Sequence, residues 1–331
     1  MHTSPESPEP ESPEPETAEP ETAEPESAES APPDVALGAI ISERRQLINL
    51  AYRLLGSLAD AEDVVQEAYT RWYAMTPAQR EAIASPGGWL TTVASRICLD
   101  LLGSARVRRE SYVGEWLPEP LPDHAEWADG GTSRRPVDPA DRVTLDESVN
   151  MALLVVLDAM TPAERVAFVL HDVFRYSFNE VAEIVGRSPA ACRQLASSAR
   201  RRVDASRAKV TPAAQQAALV RQFKQAWEEK DIATLINLLD PNAMGLADGG
   251  GVVNAAPPTG GSERIARYLV SMLDLVPDLE FLERTVNGRP GLVVQQEGVT
   301  STVIAFDVED DRITRFWAMR NPEKLRPWTS V

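Results

Sequence analysis

Residues 161–203 read TPAERVAFVLHDVFRYSFNEVAEIVGRSPAACRQLASSARRRV, and their reading decides the fold. Ser188 followed by Pro189 is a helix start. A serine hydroxyl accepts from the free N–H groups of a first turn, and proline at the first helical position lacks only an N–H that has no intrahelical partner. Gly186 ends the helix before it, with Arg187 between, which leaves the three- to four-residue turn of a helix-turn-helix. In the second helix Cys192, Leu195, Ala199 and Val203 recur at helical spacing and form an inward face. Arg193, Gln194, Ser197, Arg200 and Arg201 point the other way, and such side chains reach phosphates and base edges in a major groove. A basic, solvated helix in an ordinary bundle is the plainer alternative. The tight turn together with the split faces favours DNA binding.

The whole chain has 331 residues, room for two or three domains, and its hydrophobic fraction of 43% suits globular ones. No apolar run approaches the ~20 residues of a membrane span, and the polar, acidic start does not read as a signal peptide, so a cytoplasmic location is expected. Cys98 and Cys192 both fall inside amphipathic helical patterns and read as buried free thiols. His2, His124 and His171 are scattered without metal-ligand spacing, and no metal or cofactor is expected. The net charge of −17 runs against DNA binding, but its distribution resolves the conflict. Residues 1–34 hold eleven acidic residues and no Lys or Arg, and without them the net charge rises to −6. Arg187 to Lys209 holds seven Lys or Arg against Asp204 alone. The electrostatic footprint is local.

Residues 1–34 carry a degenerate repeat, ESPEP, ESPEP, ETAEP, ETAEP, whose composition cannot form a core and reads as a disordered tail. Helices are expected over Ile40–Leu55, from a cap at Asp60 to Tyr73, and from about Pro86 to Arg109. Residues 110–144 are polar and Pro-rich and read as a linker. Helices resume over 145–209. After Thr211-Pro212, read as a capping pair, come a long amphipathic helix to about Lys230 and a shorter one over Ile232–Leu239. Strands are expected at Leu279–Val286, Leu292–Gln296, Thr300–Val308 and Arg312–Met319, with Asn287-Gly288 as a hairpin turn. Residues 212–331 therefore read as an α+β domain with a curved sheet.

Residues 60–73 read DAEDVVQEAYTRWY. Val65, Ala68, Tyr69 and Trp72 make an apolar stripe, and Asp60, Glu62, Asp63, Gln66 and Glu67 an acidic-polar surface. This run resembles the second conserved region of extracytoplasmic-function sigma factors of bacterial RNA polymerase. The resemblance implies that those five residues dock on the clamp helices of core polymerase. Residues 89–102, WLTTVASRICLDLL, followed by Arg106, Arg108 and Arg109, are similar to the family's promoter-melting, −10-reading segment. Trp89, Arg96, Arg106, Arg108 and Arg109 are the DNA candidates there, with plain core as the rival reading of Trp89. The 161–203 stretch resembles the fourth region, which reads the −35 element, with Ser188, Arg193, Gln194, Ser197, Arg200 and Arg201 as its contacts. Three motifs stand in the family's order over residues 40–205.

Three further runs, WLPEPL at 116–121, DGGG at 248–251 and NPEKL at 321–325, resemble marks of a subgroup, the SigJ-type factors, which fuse the sigma core to a C-terminal SnoaL-like domain. The fold so implied is two all-α domains, the second a helix-turn-helix, followed by an α+β cone-shaped barrel. In that subgroup the extra domain modulates sigma activity in cis, so no separate anti-sigma factor is required. Asp248, Gly249, Gly250 and Gly251 are by composition a turn. In the functional reading they contact the linker or the first helical domain, with Trp116, Leu117 and Pro118 as the matching ligand and Asn321, Pro322 and Lys324 nearby. Two departures from the subgroup stand at Val252, where many relatives have Lys, and at Ser198, where many have Arg.

Each DNA-reading half is small, and a linker makes the second contact intramolecular. About 36 residues stretch to roughly 120 Å but average about 35 Å as a free coil. Promoter elements a few turns apart, at ~34 Å per turn, therefore require the linker to be held extended by polymerase, and the free chain is expected to be compact and inactive. The rival readings are a repressor or activator that binds DNA without polymerase, a C-terminal small-molecule sensor, and an enzyme using Asp248, Asp274 or Glu297 as its acid/base carboxylate. The acidic 60–67 surface argues against the first. The absence of any histidine from 212–331 argues against the last.

Overall fold

A computed structural model describes residues 33–110, 112, 114–122, 150–206 and 211–328, with no side-chain account for 33–42 and 105–110. The chain falls into two units, Met1–Ile40 and Ile41–Val331; both helical domains' cores, the WLPEPL linker and the α+β domain belong to the second. Residues 1–32 of the acidic tail, linker residues 123–149, and His2 and His124 lie outside the described residues.

The first helical domain is built from α1 (Pro33–Leu55), α2 (Leu58–Ala74), α3 (Pro77–Glu81) and α4 (Pro86–Glu110). Leu47, Leu50 and Leu54 of α1 pack with Ala61, Val65 and Ala68 of α2 and Leu90, Ala94 and Cys98 of α4. The cap of α2 is Ser57 rather than Asp60: its hydroxyl accepts from the Asp60 amide at 3.2 Å. Serine directly ahead of the first apolar residue takes the cap, which leaves the Asp60 carboxylate in the first turn, near the helix's positive end.

The second helical domain comprises α5 (Met151–Asp158), α6 (Pro162–Phe168) running into a π turn at Val169–Val173, α7 (Phe178–Val185) and α8 (Pro189–Ser206). Reciprocal capping boxes, Thr161 with Glu164 and Ser177 with Glu180, open α6 and α7. Gly186 closes α7 in the left-handed conformation, φ 68° and ψ 37°, and Ser188 opens α8 by accepting from the Ala191 amide at 3.2 Å. On α8, Cys192, Ala196 and Ala199 are buried, Leu195 and Val203 pack partly against the core, and Arg193, Gln194, Ser197 and Arg201 are exposed.

The two helical domains share one hydrophobic core, in which Leu54, Leu55 and Leu102 are continuous with Leu157, Val166 and Leu170. Two buried arginines sit at the seam. Arg165 donates from Nη1 to the Leu54 carbonyl at 2.7 Å and from Nη2 to Asp158 at 3.0 Å. Arg53 lies 5.8 Å from the Phe174 ring. Burial draws both guanidinium groups down to about 10. Cys98 and Cys192 are buried free thiols, and no helix among the described residues is long and apolar enough to cross a membrane.

The third domain places α9 (Ala213–Glu228), α10 (Ile232–Leu238) and α11 (Ser262–Leu275) on a six-stranded mixed sheet. Its strands are β1 (Leu239–Asp248), β2 (Thr259–Gly260), β3 (Leu279–Val286), β4 (Arg289–Gln296), β5 (Val299–Glu309) and β6 (Arg312–Met319), in the order β2-β1-β6-β5-β4-β3. β1 and β6 run parallel and the other neighbours antiparallel, with Asn287-Gly288 turning β3 into β4. The expected barrel is thus an open sheet, since β2 and β3 stand at opposite ends without pairing. β2 has only two residues, and Pro257 and Pro258 ahead of it offer no N–H for a longer ladder. Thr211 does not cap α9; its hydroxyl donates to the Val308 carbonyl at 2.8 Å, and α9 opens without a side-chain cap. β1 and α11 stand where the sequence pattern indicated only turns and strand-like runs.

Strand alternation feeds two cores. Leu292, Val294, Ile304, Phe306 and Phe316 face the helices, against Phe223, Trp227, Leu235, Ile265 and Leu269. Val293, Val303, Ala305, Trp317 and Met319 face outward and are covered by Leu117 of the linker, Met151 of α5, Leu325 and Trp328. The second helical domain therefore buries apolar surface on both the first and the third domain.

Gly186→Ala tests the helix-turn-helix corner. A methyl group there meets nothing within 4 Å, so the cost is conformational, about 1–2 kcal/mol. Urea unfolding of the full chain should register that loss; no loss would mean that the turn does not hold this backbone.

Candidate functional site

The runs singled out at 116–121, 248–251 and 321–325 converge on one buried carboxylate, joined by Tyr112, which the sequence did not mark. Asp248 ends β1 and is fully buried; it is not in a turn, because the parallel ladder with β6 runs through it to Met319. Its Oδ1 accepts from the Tyr112 hydroxyl at 2.6 Å and the Gly250 amide at 2.9 Å. Its Oδ2 accepts from the Leu117 amide at 3.0 Å and from Lys324 Nζ at 2.7 Å. Lys324 also donates to the Leu117 carbonyl at 2.6 Å and lies 4.2 Å from the Trp116 ring centroid. Asn321 donates to the Tyr112 hydroxyl at 3.0 Å. Gly250 is required by this packing: its φ is +67°, and a methyl group there would come within 2.5 Å of Asn321. Charge-assisted bonds of this kind are short and about twice as strong as neutral ones. Beside Asp248 and in a desolvated site, the Tyr112 hydroxyl is held protonated, its pKa pushed far up by burial and then by the carboxylate.

The other half of WLPEPL is clamped by residues that the sequence patterns did not reveal. The Glu119 amide donates to the Gly56 carbonyl at 2.8 Å, and its carboxylate accepts from the Leu58 amide at 2.8 Å, at the start of α2. The Tyr52 hydroxyl donates to the Glu119 carbonyl at 2.6 Å and accepts from Asn287 Nδ2 at 2.9 Å. Asn287 also brackets Leu121, accepting from its amide at 3.1 Å and donating its own amide to the Leu121 carbonyl at 2.8 Å. Trp328 Nε1 donates to the Pro120 carbonyl at 2.8 Å. Leu117, Pro118, Glu119 and Pro120 are buried and Trp116 is half-buried, its ring against Gly56. The linker is thus sandwiched between α1–α2 and the third domain. Pro322 stands beside Asn321 and makes no hydrogen bond to it.

The candidate polymerase-docking and DNA-contacting residues divide. Asp60, Glu62, Asp63, Gln66 and Glu67 are all exposed on α2, with Glu67 paired to Arg71 at 2.8 Å. On α8, Ser188, Arg193, Gln194, Ser197 and Arg201 are exposed, and Arg193 lies 5.4 Å from the Phe178 ring. Arg200 differs from the expectation: it is half-buried, with Nε 2.5 Å from Asp172. Ser198 donates to Glu164 at 2.8 Å. Arg96 reaches across the seam, donating from Nη2 to the Glu183 carbonyl of α7 at 2.9 Å. Trp89 packs on Trp72 at 5.3 Å against the shared core. The side chains of Arg106, Arg108 and Arg109 lie outside the described residues.

The three carboxylates considered for acid/base chemistry are dispersed. Asp248 is filled by its four donors, Asp274 pairs with Lys230 on the surface, and Glu297 is exposed at the β4–β5 turn. None lines the cavity on the helix side of the sheet. Among the described residues no cluster of His, Cys, Asp and Glu is suited to a metal ion.

A family model described as Sigma-70 region 2 matches residues 40–108, and one described as Sigma-70, region 4 matches residues 150–203. The probable ECF RNA polymerase sigma factor SigI of Mycobacterium tuberculosis is 37% identical over 289 residues, covering 86% of this chain and 93% of that protein. The ECF RNA polymerase sigma factor SigJ of the same organism is 37% identical over 295 residues, covering 85% and 90%. The crystal structure of the Mycobacterium tuberculosis extracytoplasmic function sigma factor SigJ superposes with a TM-score of 0.69 at 34% identity, covering 88% of this chain and 98% of that one.

Glu119 gives the docked linker a pH dependence. Burial raises its carboxyl from the ordinary 4.5 to about 7, against the lowering pull of the Leu58 amide and Lys324 and with a smaller upward push from Asp60 and Glu62. A raised acid binds its proton more tightly when docked, so this contribution is full below about 4.5 and is lost as pH climbs through about 7. Exchange of the Leu121 amide with solvent deuterium should therefore be better protected at acid than at alkaline pH after correction for intrinsic rates. Glu119→Gln should flatten that dependence, and an unchanged slope in the variant would rule Glu119 out as its source.

Proposed function

This chain belongs to the extracytoplasmic function RNA polymerase sigma factors, which direct core polymerase to promoters, and we propose that it does so from a self-closed resting state held by its third domain. The observation that carries this reading is the buried Asp248, which ties Tyr112 and Leu117 of the linker to the third domain. With the linker so held, the two reading domains stay on a common core and cannot span two promoter elements. Arg96 is occupied by the second domain's α7, and Arg200 by Asp172. The acidic face Asp60, Glu62, Asp63, Gln66 and Glu67 stays open to solvent. The closed chain therefore offers polymerase its docking face, while its −10 and −35 sides cannot engage one promoter together, although Ser188, Arg193, Gln194, Ser197 and Arg201 remain exposed.

In this reading core polymerase docks first, on the α2 carboxylates, through its clamp helices. Its surface then competes for the linker, which leaves the third domain and extends. Once the seam opens, Trp89, Arg96, Arg106, Arg108 and Arg109 face the −10 side, and Ser188, Arg193, Gln194, Ser197, Arg200 and Arg201 the −35 side. Phosphate contacts from the arginines set register, while Gln194 and Arg193 read base edges. The third domain, acting in cis, takes the place of a separate anti-sigma factor. It works as a regulator, since its buried Asp248 is committed to holding the linker.

Two full-length variants test this with purified core polymerase. Asp248→Ala removes up to four charge-assisted bonds, each about 1.5–3 kcal/mol, so promoter binding by the free protein should rise about tenfold or more. Unchanged binding, or tight promoter binding by the unaltered free chain, contradicts the closed state. Charge reversal at Asp63 and Glu67 should abolish transcription initiation through loss of core binding. Unaltered initiation would remove α2 as the docking surface.

A further inference from the structure

The helix side of the sheet holds a partly open cavity of about 150 Å³ that the linker contacts do not use. Its walls are apolar for the most part: Trp227, Ile265, Leu269, Met272, Ile304 and Phe316. A polar set, Thr259, Tyr268, Gln296, Ser301, Thr302 and Arg320, also lines it, and there is no carboxylate and no histidine. Gln296 and Thr302 come from neighbouring strands, β4 and β5. A cavity of this size and lining accommodates a molecule of about one aromatic ring, as engineered apolar cavities of similar volume do. The absence of an anionic partner excludes a cationic ligand. An amide and hydroxyls beside one another suit a single hydroxyl or carbonyl on an otherwise apolar molecule.

The same strand pair that walls the cavity carries the linker clamp. Gly245 and Ala247 of β1 and Phe316 and Ala318 of β6 line it, whereas Asp248 pairs with Met319 on the other face. Arg320 joins the two. It lines the cavity, its amide donates to the Asp248 carbonyl at 2.7 Å, and its Nη1 donates to Asn254 of the loop that follows the three glycines. Asn321, which holds Tyr112, is the next residue. Close-packed strands transmit displacement, and bonds of 2.6–3.0 Å around Asp248 tolerate little of it.

We propose that this cavity binds a single-ring-sized apolar molecule bearing one hydroxyl or carbonyl and no positive charge, and that occupancy loosens the Asp248 clamp on the linker from the opposite face of β1 and β6. The proposal rests on the regulatory reading above, but its test needs neither polymerase nor promoter. Phenol and toluene are titrated into the full chain with methionine methyl groups labelled with ¹³C, and Met272 reports on the cavity. Phenol should shift the Met272 signal saturably, and more tightly than toluene. Thr302→Val should narrow the preference for phenol, and Ala318→Leu, which fills the cavity, should abolish the shift with the remaining methionine signals native. The coupling is read in the same samples as exchange of the Leu117 amide, which phenol should speed by about tenfold. No saturable shift, or the same shift in Ala318→Leu, overturns the site. A saturable shift without faster Leu117 exchange overturns the coupling. Failure of either leaves the transcription test of the closed state standing on its own result.

Discussion

A fully buried aspartate with four donors is the constraint on which the arrangement depends. Taking Asp248 and Lys324 out of water is costly, and attraction between them offsets that only when the remaining lone pairs and protons are satisfied. Tyr112 and the Leu117 amide supply the missing donors, and the Leu117 carbonyl takes a further Lys324 proton. All of these belong to the linker. The third domain's own ion pair is therefore complete only when the linker is docked, and the Leu117 backbone groups find their partners on this surface. Each side holds the other in place, and a rival surface for the linker releases both.

The packing spreads that local constraint over the molecule. Leu117 is one stone in an apolar layer that also includes Met151 from the second helical domain and Trp317 from the sheet. The seam between the helical domains is closed by leucines and by two buried arginines, Arg165 held by the Leu54 carbonyl and Asp158 and Arg53 by Asn49 and the Phe174 ring. An interface that buries charge in this way is suited to reopening, because water and DNA phosphates are better partners for a guanidinium than a hydrophobic seam.

Much of this was legible in the sequence, for physical reasons that can be named. The helix-turn-helix declared itself through Gly186, Ser188 and Pro189, because backbone geometry allows few residues at those positions. Strands β3 to β6 showed as short apolar runs, continuous at Leu292–Val294 and Val303–Phe306 because each face meets its own core. β1 did not, because Pro241 interrupts it and its exposed middle breaks the alternation. The DGGG and NPEKL runs pointed to contact, but no local pattern could name Tyr112 as a partner 136 residues from Asp248. Asn287 read as a turn residue and is one, yet its side chain also brackets Leu121. Arg53 left a faint signal, a charged residue on the apolar stripe of α1. Arg96 and Arg200 looked like free cations because a sequence shows charge and not its partner.

The central claim is that the free chain holds its two reading domains together through the docked linker and that polymerase separates them. Energy transfer between dyes on cysteines introduced at Gln79 of α3 and Ala205 of α8, both exposed, measures this directly in single molecules of the full chain. The account predicts one high-transfer population for the free protein, a low-transfer one with core polymerase and promoter, and partial opening of the free protein by Asp248→Ala. The same distribution in the free and polymerase-bound chain, or no response to Asp248→Ala, would contradict it.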